Sequence, residues 1–323
     1  MSKYKSYILL GIVIILALYV FVPQIDQLKD GIKALKDADK GWVMLGLVVF
    51  FSGILMLTWQ FMALAFKKLK FGLTYRVEMS TLFVSKLMPI GLGTITVNMY
   101  YLYKEKHTKA ETGTVLAMNA LTSGIAYTLM IIIALAATDF TAHTIFSQFH
   151  MPSAAIKLIV GLAIAAIIAL ILSGSLRQKI ADNWHLLTGN IGQYRKRPKA
   201  LLIGIVANGI GSFTSLFALY ASAHAISVNI NFAEALLAYT FGNIAATLVP
   251  TPGGLGAAEA GIYAGLIMVG VGNTEAITIT VLYRLISYWI PIIPGYYYFW
   301  DLRKTLLANF SLKKSQKLEA PTT

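Results

Sequence analysis

Three charged residues stand inside otherwise apolar stretches of the sequence, and they are the first candidates for chemistry. Lys86, Glu259 and Arg284 are each flanked by runs of aliphatic, aromatic and small residues. Within a bilayer each such charge costs at least about 2.5 kcal/mol by insertion scales, so it must face a cavity or a partner. The fork of Arg284 suits a phosphate, and Glu259 can hold that fork in place or carry a proton. A purely structural Glu259–Arg284 ion pair and a Lys86 that extends to the membrane surface are the alternatives.

A turn rich in proline and glycine precedes Glu259. The string Pro250-Thr251-Pro252-Gly253-Gly254-Leu255-Gly256 interrupts an apolar segment, and a second helix is predicted to begin between Gly254 and Ala257. The free N–H groups and positive dipole end of that helix could bind a phosphate or carboxylate. A tight turn that needs glycine for close packing is the alternative. The candidate substrate-binding residues of this turn are Pro250, Pro252, Gly253, Gly254 and Gly256.

A looser turn of the same kind follows Lys86. The string Pro89-Ile90-Gly91-Leu92-Gly93 breaks the apolar segment 79–103, and Asn98 follows it in the same segment. The candidate substrate-binding residues of this first turn are Lys86, Gly91, Gly93 and Asn98.

The composition indicates that these residues lie in a membrane. Of 323 residues, 57% are apolar and only 13% are charged, about half of the roughly 25% charged residues of soluble proteins. So few charges cannot cover the surface of a soluble domain, which predicts a polytopic membrane protein. The chain has no cysteine, which excludes disulfides, Cys-ligated metals and a thiol nucleophile. It also has no nucleotide-binding loop or nucleophile elbow, so we expect no enzyme activity, no cofactor and no metal.

Six apolar stretches are long enough to be full spans, because a transmembrane helix needs about 20 residues. The predicted spans are 6–22, 41–66, 112–137, 156–174, 200–226 and 275–300. The two apolar segments with turns, 79–103 and 235–272, do not fit a simple alternation of spans.

The distribution of basic residues decides how those two segments run. Lys and Arg cluster at 67–76, 104–109, 177–199 and 303–317, whereas the loops 138–155 and 227–234 contain neither. The positive-inside rule is satisfied only if 79–103 enters and leaves on the cytoplasmic side and 235–272 on the outer side. Both termini are then cytoplasmic, in a cell (plasma) membrane. The net charge of +13 is thereby interpreted as an orientation signal, and no nucleic-acid partner is expected.

An internal repeat supports this topology. A shift of 163 residues (89 to 252) places Pro89-x-Gly91-Leu92-Gly93 on Pro252-x-Gly254-Leu255-Gly256. The predicted fold is an all-α polytopic membrane protein with six full spans and two re-entrant helical hairpins, arranged in two inverted-topology repeats. Such repeats are typical of transporters, although a duplicated scaffold without transport is the alternative. The predicted units are the first repeat at 1–137, the second at 138–300 and a basic cytoplasmic tail at 301–323.

The second-half motif resembles a known family. The string Leu248-Val249-Pro250-Thr251-Pro252-Gly253-Gly254-Leu255-Gly256-Ala257-Ala258-Glu259, followed by Tyr283-Arg284-Leu285-Ile286-Ser287-Tyr288 and Pro291, resembles the membrane portion of lysylphosphatidylglycerol synthase/flippase proteins. The resemblance covers about residues 5–305 and extends only to the flippase portion. In that family this portion moves a lipid between leaflets. Many members carry a charged residue after the first glycine turn, where this chain has Thr94, Thr96 and Asn98.

These observations favour a lipid flippase or transporter for an anionic phospholipid or a polyprenyl-phosphate-type lipid. The expected partner is a membrane lipid with an anionic head group. A secondary transporter of a small anionic solute fits the same architecture. A membrane partner or transferase in lipid-linked glycan or aminoacyl-lipid synthesis is the third possibility.

Overall fold

The computed structural model describes residues 24–88, 92–137, 192–249 and 251–302, and these ranges contain helices and no β-strand. The helices are α1 (Gln24–Asp37), α2 (Lys40–Leu64), α3 (Phe71–Leu87), α4 (Leu92–Lys104), α5 (Lys109–Ala137), α6 (Pro198–His224), α7 (Phe232–Leu248), α8 (Ala257–Met268) and α9 (Asn273–Leu302). A 3₁₀ turn at Pro252–Gly254 lies between α7 and α8, and α9 contains a π-helical turn at Leu285–Trp289. The predicted spans 6–22 and 156–174 lie outside the described residues.

Four of these helices are long and apolar enough to cross a membrane. Helices α2, α5, α6 and α9 contain 25, 29, 27 and 30 residues. At about 1.5 Å per residue each exceeds the roughly 30 Å of a hydrocarbon core. They coincide with the predicted spans 41–66, 112–137, 200–226 and 275–300. The all-helical fold is therefore confirmed, together with four helices of spanning length.

Polar caps mark where several helices begin. Asp39 accepts a 2.7 Å hydrogen bond from the backbone N–H of Gly41 at the start of α2. Asn231 and Glu234 form a reciprocal capping box at the start of α7. Such caps satisfy N–H groups that have no partner within the helix, and they fix the position at which each helix starts.

Small residues allow α2 and α6 to pack closely. A Cβ on Gly53 of α2 would collide with the Thr214 side chain, and a Cβ on Gly211 of α6 would lie 3.0 Å from Leu57 Cδ2. Apolar helices in lipid gain little from burying more apolar surface, so close van der Waals contact at small residues holds them together. This helix pair forms one wall of the cavity described below.

Each of the two Pro/Gly sequences lies between a pair of short antiparallel helices, α3 with α4 and α7 with α8. In the first hairpin, Gly93 of α4 packs on the Val84 carbonyl of α3, and the hydroxyls of Thr74 and Tyr101 lie 2.8 Å apart. In the second hairpin, Gly261 of α8 would place a Cβ 2.5 Å from the Phe241 carbonyl oxygen of α7. The glycines of these hairpins therefore serve close helix packing.

Contacts at the helix ends show which ends lie together. Lys67, before the first hairpin, pairs with Glu111 after it, with 3.5 Å between Nζ and Oε2. Arg76 of α3 pairs with Asp301 at the end of α9 at 3.3 Å. Arg197, before α6, donates to the Ala65 carbonyl oxygen at 3.1 Å. Both ends of the first hairpin thus lie at one end of the assembly, which we call the basic end.

Candidate functional site

Arg284 lies in α9 immediately before the π-helical turn and is 8% exposed. Its Nε donates a 2.7 Å hydrogen bond to Glu259 Oε1, and its Nη2 donates a 3.4 Å bond to the Gly253 carbonyl oxygen. Hydrogen bonds between ionised partners are shorter and stronger than neutral ones. Because both acceptors belong to the second hairpin, the guanidinium ties that hairpin to α9.

The glycine turn has a backbone conformation that other residues rarely adopt. The φ angles of Gly253, Gly254 and Gly256 are 61°, 70° and 79°, which is the left-handed region that glycine tolerates. A Cβ on Gly253 would also lie 2.7 Å from Tyr288 Cε2 and 3.2 Å from Lys86 Cα. Glycine at 253 is thus required twice, by its φ angle and by the approach of two neighbouring elements.

Two cations share one aromatic ring beside this turn. Lys86 Nζ lies 4.7 Å from the centroid of the Tyr288 ring, and Arg284 Cζ lies 4.5 Å from it. The Tyr288 side chain is fully buried, and its hydroxyl has no hydrogen-bond partner among the described residues. The negative face of an aromatic ring attracts cations, so Tyr288 stabilises two like charges near each other. We call Lys86, Gly253, Glu259, Arg284 and Tyr288 the hairpin-tip cluster.

Lys86 and Arg284 line a cavity of about 290 Å³, which we call the central cavity. Side chains of α2, α3, α6, α7, α8 and α9 surround it. Its uncharged polar lining consists of Thr214, Ser215, Tyr239, Asn243, Tyr283 and Ser287. A second cavity of about 300 Å³ is lined by Asp30, Glu259 and Arg284, among others. Arg284 is therefore in contact with both cavities, whereas Lys86 lines only the central one.

The formal charges of the cluster sum to +1, from Lys86, Arg284 and Glu259. Glu259 lies in the first turn of α8, where a carboxylate interacts favourably with the positive end of the helix dipole. The N-cap residue Gly256 provides no side-chain cap. The helix N-terminus predicted as an anion site is thus present, and Glu259 supplies part of the negative charge there. The remaining positive charge suits a single anionic group.

The structure brings some of the predicted site residues together and separates others. Lys86, Glu259 and Arg284 meet at the turn, and Gly253 forms its contact surface. Pro252 begins the 3₁₀ turn and Gly254 ends it, and Gly254 and the N-cap residue Gly256 have the other two left-handed φ angles. Helix α8 begins at Ala257, within the predicted interval.

The first-hairpin candidates other than Lys86 lie elsewhere or outside the described residues. Gly93 packs on α3. Asn98 is 2% exposed, hydrogen-bonds the buried Glu78 between α3 and α4, and lines neither cavity. Gly91, like Pro250 in the second turn, lies outside the described residues.

Tyr288 is the cluster residue that the sequence analysis did not name as a candidate site residue, although it belongs to the string that resembles the family. It follows Arg284 by four positions, which is the spacing of neighbours on one helix face. That spacing was a usable signal, but a tyrosine in an apolar span is ordinary by itself.

The comparisons with known proteins agree with the resemblance found in the sequence. A family model described as "Lysylphosphatidylglycerol synthase TM region" matches residues 8–295. This match covers most of the chain and includes both glycine turns and Arg284. No curated protein matches the chain.

Proposed function

We propose, from the premise that this chain belongs to the lysylphosphatidylglycerol synthase transmembrane-region family, that it is a flippase for an anionic phospholipid or a polyprenyl-phosphate-type lipid. The family match and the four long apolar helices make it a multi-pass membrane protein with a lipid-related function. The observation that carries the finer proposal is that Lys86 and Arg284 line one cavity. The proposed role is transport without catalysis.

The hairpin-tip cluster supports binding of a phosphate group. Lys86 approaches from the first hairpin and Arg284 from α9, so a phosphate in the central cavity would contact cations from both halves of the protein. Arg284 can offer its planar fork once its bond to Gly253, or to Glu259, is exchanged for the phosphate. Binding would therefore loosen a contact between the second hairpin and α9. Such an exchange couples the ligand to the relative position of two elements.

We also propose the membrane topology that this mechanism needs. It has six full spans, two re-entrant hairpins and both termini in the cytoplasm, in a plasma membrane. The location of both ends of the first hairpin at the basic end supports it. Because the chain has no native cysteine, single cysteines can test it. Lys109→Cys should label only after permeabilisation and Asn229→Cys from outside. Labelling of position 109 from outside would contradict the re-entrant first hairpin.

A small anionic solute is the second candidate substrate. The central cavity of about 290 Å³ lies at the lower end of the range for small-molecule sites. A lipid would place only its head group there and leave its tails in the bilayer, whereas a solute would enter entirely. The two candidates share a phosphate or other anion as the recognised group.

Transport by purified protein in proteoliposomes separates these candidates. Vesicles should contain either a fluorescent anionic phospholipid, fluorescent phosphatidylcholine or internal radiolabelled phosphate. We expect movement of the anionic lipid, much less of phosphatidylcholine, and loss of that movement in Arg284→Ala. Arg76→Ala is the matched control, since Arg76 pairs with Asp301 at the exposed basic end. Phosphate efflux without lipid movement would instead support the solute transporter.

A further inference from the structure

A buried glutamate lies between the two helices of the first hairpin. Glu78 of α3 is 8% exposed, and Asn98 of α4, which hydrogen-bonds it, is 2% exposed. Among the described residues no Lys, Arg or His forms an ion pair with Glu78, whereas Glu259 has the Arg284 guanidinium 2.7 Å away. An ionised carboxylate at Glu78 loses its hydration without gaining a positive partner. A group in that position becomes neutral by taking up a proton.

Asn98 has the free acceptor that a protonated Glu78 requires. Its Oδ1 is buried and has no hydrogen-bond partner among the described residues. A carboxylate has only acceptors, so it can bind the amide N–H of Asn98 but leaves Oδ1 unsatisfied. A protonated carboxyl group also has an O–H donor, and a carboxylic acid and a primary amide can exchange two hydrogen bonds. Protonation of Glu78 therefore removes the cost of burying Oδ1 without a partner.

The elements packed around Glu78 carry other titratable groups, but their charges are used elsewhere. On α4, Tyr101 is the titratable side chain that interacts with Glu78. Helix α2 is uncharged after its first residue. Helix α9 packs on α3, and its Asp301 pairs with Arg76. Lys86, farther along α3, lies over the Tyr288 ring in the hairpin-tip cluster.

The space beside Glu78 favours a proton over a metal ion. Neither of the two cavities is lined by Glu78 or Asn98. A metal ion needs room and several oxygen ligands, whereas a proton needs a single acceptor oxygen. The proton is therefore the cation that these two side chains can hold.

We propose that Glu78 and Asn98 form a proton-binding site, and that Glu78 releases its proton when α3 and α4 separate, which couples proton movement to lipid transport. The coupling rests on the proposed function, whereas the proton site does not. Release leaves a carboxylate that water solvates in place of Asn98. Lys86 follows Glu78 by eight positions, or about 12 Å along the same helix. A movement of α3 that exposes Glu78 therefore also moves a proposed ligand of the phosphate.

Infrared spectroscopy of the full-length protein in liposomes tests the proton site without transport. At about pH 6 an ordinary glutamate is ionised, so the C=O stretch of a protonated carboxylic acid should be present in the wild type and missing in Glu78→Gln. Glu105→Gln is the matched control and should keep the band, because Glu105 also interacts with Tyr101. Glu78→Gln should unfold at about the wild-type temperature, since an amide can exchange the same two hydrogen bonds with Asn98.

Lipid movement across a pH gradient tests the coupling. In proteoliposomes with the membrane potential held at zero, a gradient of about one pH unit should shift the steady-state distribution of the anionic lipid about tenfold for each coupled proton. Glu78→Gln cannot exchange a proton and should show no such shift. Glu105→Gln should respond as the wild type does.

The outcomes distinguish this inference from the proposed function. A wild-type spectrum without the carboxylic acid band, or a Glu78→Gln spectrum that keeps it, would overturn the proton site. Thermal stabilisation by Na⁺ that is lost in Glu78→Gln would overturn it in favour of a metal-ion site. Lipid movement that ignores the gradient would overturn the coupling alone. A Glu78 band in a protein that moves no lipid would leave the proton site in place and overturn the flippase.

Discussion

Two arginine–carboxylate pairs in this protein have the same chemistry and different surroundings. In the hairpin-tip cluster the Arg284 and Glu259 side chains are 9% and 13% exposed, and their N–O distance is 2.7 Å. At the basic end the Arg76 and Asp301 side chains are 53% and 43% exposed, at 3.3 Å. Exposed pairs are screened by water and contribute little to stability. Burying the Arg284–Glu259 pair costs desolvation free energy, and removing one partner would leave an unpaired buried charge. The pair also borders two cavities.

The largest expected effect comes from removing one partner of each pair. Glu259→Ala leaves the Arg284 guanidinium buried without its carboxylate, which should cost about 3–5 kcal/mol. Asp301→Ala should change stability by no more than about 1 kcal/mol. Thermal unfolding of the two variants in the same detergent measures the difference. Equal stability of the two variants would contradict the view that burial makes the Arg284–Glu259 pair more important to stability than the Arg76–Asp301 pair.

The glycine at the tip offers a second contrast. Gly253→Ala places a Cβ at a φ of 61° and 2.7 Å from Tyr288 Cε2, and strain of this kind costs about 1–3 kcal/mol. Gly124→Ala in α5 is the control, because its Cβ would meet nothing within 4 Å. We expect a lower unfolding temperature and weaker phosphate binding for Gly253→Ala alone. Unchanged phosphate binding in Gly253→Ala would show that the close contact of Gly253 with Lys86 and Tyr288 is not needed.

Tyr288 tests whether an aromatic ring holds the two cations together. Tyr288→Leu removes the ring under Lys86 and Arg284 and should weaken phosphate binding by about 1–2 kcal/mol. Tyr288→Phe keeps the ring, and we expect it to bind phosphate nearly as the wild type does. Calorimetric titration with inorganic phosphate compares them. If Phe and Leu were equally weak, the hydroxyl and not the ring would be responsible.

The smallest expected effect is a change in the pH dependence of stability, and it concerns His107 at the basic end. Burial lowers the pKa of His107, and its Nε2 accepts a 3.2 Å hydrogen bond from the Lys67 backbone N–H. The folded protein therefore favours neutral His107, while the unfolded chain protonates near its ordinary pKa of about 6.5. This contribution is present above about pH 6.5 and is lost as the pH falls. His107→Gln should reduce the loss of unfolding temperature between about pH 8 and pH 5. An identical pH dependence in wild type and variant would contradict it.

Different parts of the cluster were visible in the sequence to different degrees. Glu259 and Arg284 were predictable because charges inside long apolar runs need a partner, and the glycines because prolines beside them break a helix. The four long helices followed from length and hydropathy. The approach of Lys86 to Tyr288 was not predictable, since it depends on how the first hairpin packs against α9. The same holds for Asn98, whose partner Glu78 lies on the neighbouring helix and not at the turn.

The polar lining of the central cavity could not be predicted from sequence patterns either. Asn243 and Thr214 look like ordinary polar residues of membrane helices, which form interhelical hydrogen bonds. Only the position of α6 beside α7 and α2, set by contacts such as Gly53 with Thr214, makes them part of one cavity. Tertiary packing, and not spacing along the chain, assembles this half of the site.

Lipid transport by a double variant tests most directly whether the buried pair is a substrate site. Glu259→Gln/Arg284→Gln removes both charges together and leaves no unpaired buried charge. If the pair is merely structural, this replacement should not reduce transport. Arg76→Gln/Asp301→Asn is the matched control at the basic end. With both proteins reconstituted at equal density, we predict that the control moves the anionic lipid at the wild-type rate and that the Glu259→Gln/Arg284→Gln protein, although folded, does not. Wild-type transport by the Glu259→Gln/Arg284→Gln protein would contradict the assignment of Arg284 to the head group.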